Sequence, residues 1–146
     1  MVGLLVATHG RLADELVATA EQIVGKLGAV ATVSIEPGSA PEAIRAKMRD
    51  AVHSLETGEG VIVFADLFGG TPCKESLMLC MKEHVEVLAG VNLPMLLKAN
   101  SLRLEAMDLH TMAQALAAYG QRCITCASDL VRASVAAAAV PPATEL

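Results

Sequence analysis

Residues 61–72 read Val-Ile-Val-Phe-Ala-Asp-Leu-Phe-Gly-Gly-Thr-Pro, and the fold can be worked out from this stretch. Val61 to Ala65 are all apolar, leaving no face for water. A strand of that kind is buried on both sides, the condition of a strand inside a parallel sheet. It stops at a carboxylate, Asp66. Leu67 to Gly70 make a turn, Thr71 is placed as a helix cap, and Pro72 suits the first helical turn. The unit is strand, glycine turn, helix.

The same unit recurs on either side. Val2 to Ala7 form a second unbroken apolar run, ending at Thr8-His9-Gly10. Leu12, Leu16, Ile23 and Leu27 then recur at helical spacing, with Gly25 and Gly28 marking the end. Residues 30–35 alternate as a weaker strand, and Glu36-Pro37-Gly38 makes a turn. Ser39 and Glu42 have the spacing of a capping box, with Pro41 in the first turn. That helix carries Ile44, Met48, Val52 and Leu55 on one stripe, and Gly58 and Gly60 end it.

Toward the C-terminus, Leu77, Met78 and Met81 provide an apolar helix side. Val85 to Ala89 is a fourth strand, ending at Gly90-Val91-Asn92. Helices are predicted from about 94 to 102 and 107 to 119, and residues 122–127 have strand-like content. This alternation predicts an α/β fold, a doubly wound and mainly parallel sheet with helices on both faces. No linker divides it, so one domain is expected over residues 1–131. Residues 132–146 are expected to be a loose tail, since the AAAAVPPATEL run from Ala136 has little to pack.

Composition narrows the function. The chain has 146 residues, 53% of them hydrophobic, and a formal charge of -5, which argues against a nucleic acid or an anionic membrane as partner. Phe64, Phe68 and Tyr119 are its entire aromatic complement, so stacking platforms for bases or sugars are excluded. No apolar run approaches the ~20 residues of a bilayer span. The first residues lack the basic flank of an export signal, so a cytoplasmic location is expected. The methionines are read as core filler.

In an open parallel sheet, ligands sit beyond the carboxyl ends of the strands. Three such ends are polar or glycine-rich: Thr8-His9-Gly10, Asp66 to Thr71, and Gly90-Val91-Asn92. His9 can act as nucleophile, base or ligand, or merely close a turn. Asp66 can accept the Nδ1 proton of a histidine and leave Nε2 reactive, or cap its own glycine turn. Gly70 and Thr71 offer donors at a helix start, where anions are favoured. No Walker lysine follows. The combination suggests phosphoryl transfer through histidine.

His53, His84 and His110 are expected to be exposed, with no pair at metal spacing. No metal and no cofactor is expected. The four cysteines are read as reduced thiols. In Cys123-Ile-Thr-Cys126, a strand would point the thiols to opposite faces, so the inert reading is preferred to a redox one. Cys73, in a first helical turn, is a candidate for oxidation.

Together these motifs resemble the enzyme IIA component of the mannose family of the bacterial phosphoenolpyruvate-dependent sugar phosphotransferase system. The resemblance covers roughly residues 2–131. It rests on VATHGRLADEL at 6–16, EPGSAPE at 36–42, VFADLFGGTPC at 63–73, VLAGVNLPMLL at 87–97 and GQRCITCASDL at 120–130. It implies a phosphohistidine carrier in sugar uptake, with His9 accepting a phosphoryl group from the phosphocarrier HPr on Nε2 and passing it to a IIB component. Asp66 matches the family's aspartate partner of that histidine, and Gly70 and Thr71 match the turn beside the phosphoryl group. The resemblance also implies a homodimer whose last strand is antiparallel, here Cys123 to Ala127.

One departure stands out: Lys74-Glu75 follow Cys73, where the family commonly has a small or amide residue. The alternatives are an orphan regulator whose His9 phosphorylation state is read by a partner, a small-molecule hydrolase using His9 and Asp66, and a noncatalytic dimeric scaffold.

Overall fold

The computed structural model describes residues 1–139. Four strands and six helices alternate along the chain: β1 (Gly3–His9), α1 (Leu12–Val24), β2 (Val30–Ile35), α2 (Pro41–Leu55), β3 (Val61–Ala65), α3 (Thr71–Cys80), β4 (Val85–Ala89), α4 (Leu93–Leu102), α5 (Leu109–Arg122) and α6 (Ala127–Ala139). The sheet order is β2-β1-β3-β4, every pair parallel. The doubly wound α/β expectation therefore holds for its four parallel strands.

Side-chain alternation explains why helices cover both faces. Leu4, Val6, Ile62 and Phe64 point to one side and pack with α1, α4 and α5. Leu5, Ala7, Val61 and Val63 point to the other and pack with α2 and α3. All eight are fully buried. Apart from Ala7, each such side chain contributes on the order of 1.5–3 kcal/mol by leaving water, so the two central strands anchor the molecule.

Three sequence expectations need correction. The first concerns which residues of α1 and α3 face inward. In α1 it is Ala13, Val17 and Ala20 that are buried, while Leu12 and Ile23 are 47% and 58% exposed. Small side chains let this helix lie close to the sheet, which a search for large apolar residues cannot detect. In α3 the buried positions are Pro72, Cys73, Glu75, Ser76 and Leu79, whereas Met78 and Met81 are exposed. Ser76 returns its hydroxyl to the Pro72 carbonyl at 2.6 Å, and Glu75 accepts from Arg45 Nε at 3.0 Å. Polar groups satisfied in this way can face a core.

The second concerns helix starts. Ser39 makes no capping box: its hydroxyl donates to the Glu36 carbonyl and Ala40 occupies the cap position of α2. Thr71 is the first residue of α3 and Gly70 precedes it as cap.

The third concerns the C-terminus. Cys123 to Ala127 do not form an antiparallel strand. Cys123 closes α5, and the chain turns directly into α6. A strand is held by a partner's backbone, and β4 offers its free edge to none of the described residues of this single chain. The sequence from Ala127, rich in alanine, favours a helix instead. α6 runs from Ala127 through Ala139 into the segment read as a tail and buries none of its residues. The rest of that segment, residues 140–146, lies outside the described residues. Among those described, no helix is long and apolar enough to cross a membrane.

Candidate active site

The strand order reverses direction between β1 and β3: the chain goes from β1 outward to β2, then returns past β1 to β3. Loops leaving the carboxyl ends of these two strands diverge and open a crevice. His9 ends β1 and Asp66 follows β3, so the topology alone places them side by side.

The contact is close. His9 Nδ1 lies 2.8 Å from Asp66 Oδ2, and the same oxygen accepts the His9 backbone N–H at 3.0 Å. Asp66 Oδ1 accepts the Leu67 N–H at 3.0 Å. A carboxylate can only accept, so the proton between the pair belongs on Nδ1 and Nε2 keeps its lone pair. The His9 side chain is 48% exposed while that of Asp66 is only 11% exposed. The carboxylate is held as a largely covered support, and the imidazole is offered to solvent.

Burial alone would raise the Asp66 pKa. Hydrogen bonds from the His9 ring and amide, the nearby imidazole charge and the Leu67 amide outweigh it and hold the carboxyl below its ordinary value. Backbone amides act similarly on Glu56, whose burial opposes them and whose Oε1 accepts from Gly60 and Gly58. A depressed carboxyl pKa stabilises the fold above its unfolded value and loses that contribution as pH falls through the folded value. Melting temperature is therefore expected to drop on acidification below about pH 4. The drop should be shallower in Asp66→Asn, which has nothing to titrate there. Superimposable acid limbs for the two proteins would overturn the assignment.

Gly70 fits against the ring. A Cβ at this position would lie 2.8 Å from His9 Cε1, closer than real contacts allow. Gly69, with φ at +85°, makes the turn that brings Gly70 there. Thr71 is exposed and begins α3, a helix of 10 residues with no side-chain cap, so its first amides have no partner within the helix. His9, Gly10, Ile35, Glu36, Pro37, Gly38, Ser39, Ile44 and Thr71 line a cleft of about 380 Å³. A larger cavity of about 590 Å³, between α1, β2 and α2, does not include His9.

Reading the sequence missed two parts of this arrangement. Thr8 is fully buried, and its hydroxyl accepts the Ala13 N–H at 2.7 Å, tying the end of β1 to the first turn of α1. The Glu36–Ser39 turn forms the cleft's far wall. Its place beside His9 follows only from the pairing of His9 with Ile35.

The third polar strand end does not join the site. Asn92 caps α4 by accepting from the Met95 amide, and its own amide donates to the Gly120 carbonyl of α5. It holds two helices together beyond the edge strand. Glu75 likewise turns inward to Arg45, leaving Lys74 as the exposed member of the departure after Cys73. His53, His84 and His110 are exposed, each beside a glutamate. Among the described residues, no group of three metal-ligating side chains is gathered.

Known proteins resemble this chain in sequence and in fold. The family model described as PTS system fructose IIA component, EIIA-man, matches residues 3–117. The PTS system mannose-specific EIIAB component of Escherichia coli (strain K12) is 35% identical over 98 residues, 66% of this chain and 30% of that protein. The chain therefore spans about 30% of the length of the curated relatives matched at that level. The PTS system fructose-specific EIIA component of Bacillus subtilis (strain 168) is 26% identical over 130 residues, 88% of each chain.

Among solved structures, the mannose/sorbose specific IIA subunit from Enterococcus faecalis is 31% identical with a TM-score of 0.75, covering 85% of this chain and 92% of that one. The phosphotransferase system component EIIA from Streptococcus agalactiae has a TM-score of 0.81 at 23% identity, over 88% of this chain and 99% of that one, and bears on the fold alone. The match over residues 3–117 takes in β1 through β4 together with both His9 and Asp66. The chain belongs to the mannose family of enzyme IIA components of the bacterial sugar phosphotransferase system.

Proposed function

We propose that this protein is a phosphohistidine carrier, a phosphotransferase that accepts a phosphoryl group from HPr on His9 Nε2 and passes it to a IIB component in sugar uptake. The observation that carries the reading is the 2.8 Å contact between His9 Nδ1 and Asp66 Oδ2, with Nε2 left free on a half-exposed ring. Family membership supports the partners.

The chemistry follows from these groups. The Nε2 lone pair attacks phosphorus in line with the donor nitrogen, the donor N–P bond breaks, and the new N–P bond makes His9 cationic. Asp66 is already seated against Nδ1–H and offsets that charge without rearranging. The Gly70–Thr71 amides and the Thr71 hydroxyl are the donors available to the phosphoryl oxygens. Transfer onward reverses the sequence. A solvent-facing imidazole suits a macromolecular donor, which must bring its own histidine to this one.

Two further statements belong to the same reading. The protein acts as a homodimer, supported by the free β4 edge and by Ile124, Leu130, Val131 and Val135, which are 61–78% exposed. It works in the cytoplasm, where HPr would reach it.

The test is intact-protein mass after incubation with phosphoenolpyruvate, enzyme I and HPr, followed by fragmentation to locate the modification. One acid-labile phosphoryl group on His9, and none on an equally folded His9→Ala control, is expected. Phosphate on His53, His84 or His110, or none with the cognate donor, would sink the carrier reading.

A further inference from the structure

Lys74 brings a charge to the start of α3 that no other part of the site takes up. Its side chain is exposed, and among the described residues it pairs with no carboxylate. Glu75, its neighbour in sequence, does not neutralise it. That carboxylate is 10% exposed and turns toward α2, where it accepts from Arg45 Nε at 3.0 Å. Arg11, beside Gly10, faces Glu15 at 3.8 Å. Both arginines near the cleft are therefore committed, and Lys74 is not.

Its place follows from the helix. The Lys74 N–H donates to the Gly70 carbonyl at 3.0 Å, so the two residues are stacked one turn apart, a rise of about 5.4 Å. Gly70 is the residue whose added Cβ would lie 2.8 Å from His9 Cε1. Thr71 stands three residues before Lys74, which puts both on one helix face, and Thr71 lines the His9 cleft. Side chains on a helix lean back toward its N-terminus. From this position the four-carbon stem of Lys74 leans toward the Gly70 end, where a glycine offers no side chain in its way.

The site also has an unmet electrostatic need. A phosphoryl group on Nε2 brings roughly two negative charges. Asp66 already sits on the other ring nitrogen, and Glu36 forms part of the cleft wall. The donors described so far, the Gly70–Thr71 amides and the Thr71 hydroxyl, carry no net charge. Dipoles alone leave the phosphorylated site strongly anionic.

We propose that Lys74 Nζ binds an oxygen of the phosphoryl group carried on His9 and supplies the cation of the phosphorylated site. This deepens the carrier reading and rests on it. An ammonium on a flexible stem is suited to the task, because a point charge can follow a group that arrives and leaves. Lysine keeps its proton throughout, and the bonds made and broken are those of the carrier step alone.

The test loads the full-length protein with phosphoramidate, a small donor that needs no docking surface, and follows the phosphorus NMR signal of phospho-His9 against pH. Transfer from phospho-HPr is measured alongside. Lys74→Met keeps the stem and loses the charge. It is expected to raise the midpoint of the phosphoryl group's second ionisation by about half a pH unit or more, because the wild-type ammonium favours the dianion. It should also lower kcat for transfer by about 10-fold with little change in KM, less than the loss of a water-excluded donor because the ammonium stays solvated. Lys74→Arg should restore both. Superimposable midpoints for wild type and Lys74→Met would overturn the proposal, and a raised KM beside them would assign Lys74 to partner docking instead. A wild-type protein with no phosphoryl signal on His9 from either donor would overturn the carrier reading, and this inference with it.

Discussion

Asp66→Asn should slow phosphorylation of His9 by HPr by about 10²–10⁴-fold, a loss of the size seen when the carboxylate behind a reactive histidine becomes an amide. The hydrogen-bond inventory explains the severity. Asp66 accepts from three donors: the His9 ring, the His9 amide and the Leu67 amide. Asparagine has one acceptor oxygen. If that oxygen keeps the His9 side, the NH₂ faces the Leu67 N–H, donor against donor. If the amide flips, the NH₂ donates to Nδ1 and moves the ring proton to Nε2, the atom that must attack. In either orientation the negative charge that offsets the phosphoimidazolium is gone. The check is the single-turnover rate of phosphoryl transfer from labelled HPr, alongside a melting curve. A folded variant within about threefold of wild type would show that Asp66 only shapes the turn.

Gly70→Ala is expected to lower the same rate by on the order of 10², the usual consequence of displacing a reacting group by about 1 Å. The new methyl would stand 2.8 Å from His9 Cε1 and 3.3 Å from Leu67 Cδ1. Leu67 is exposed and can yield. The imidazole yields only by swinging away from Asp66, and then its tautomer is no longer set. Backbone strain is not the cause, because Gly70 has φ at -75°, which alanine adopts freely. Melting temperature should therefore hardly change while transfer falls. Equal losses in stability and rate would point to a damaged loop, and an unchanged rate would show that the ring has room to spare.

How much of this was legible in the sequence differs between elements for physical reasons. The two central strands were legible because a parallel strand covered on both faces must be apolar throughout, as Val61 to Ala65 are, while the edge strands β2 and β4 carry polar residues and gave weaker signals. The stripe of α2 was legible for a similar reason: Ile44, Met48, Val52 and Leu55 are large, evenly spaced and all buried. The inner faces of α1 and α3 were not, because alanine, serine, cysteine and a paired glutamate fill them. Size and polarity point the wrong way at such positions. The C-terminal strand was expected on resemblance, and it fails in a single chain because strand structure depends on a neighbour that these residues do not have.

The candidate site divides along the same line. Which residues carry chemistry could be read from the sequence, since His9, Asp66 and the Gly-Gly-Thr turn each stand where a buried strand gives out. That two of the three polar strand ends meet, and the third does not, was a matter of strand order. Placing β1 between β2 and β3 puts Asp66 against the imidazole and strands Asn92 beyond the edge strand as a brace for α4 and α5. Apolar runs determine which segments are strands, because burial acts on each segment by itself. Neighbour relations among strands 57 residues apart depend on how both faces of the sheet are covered at once, and only the tertiary structure decides that.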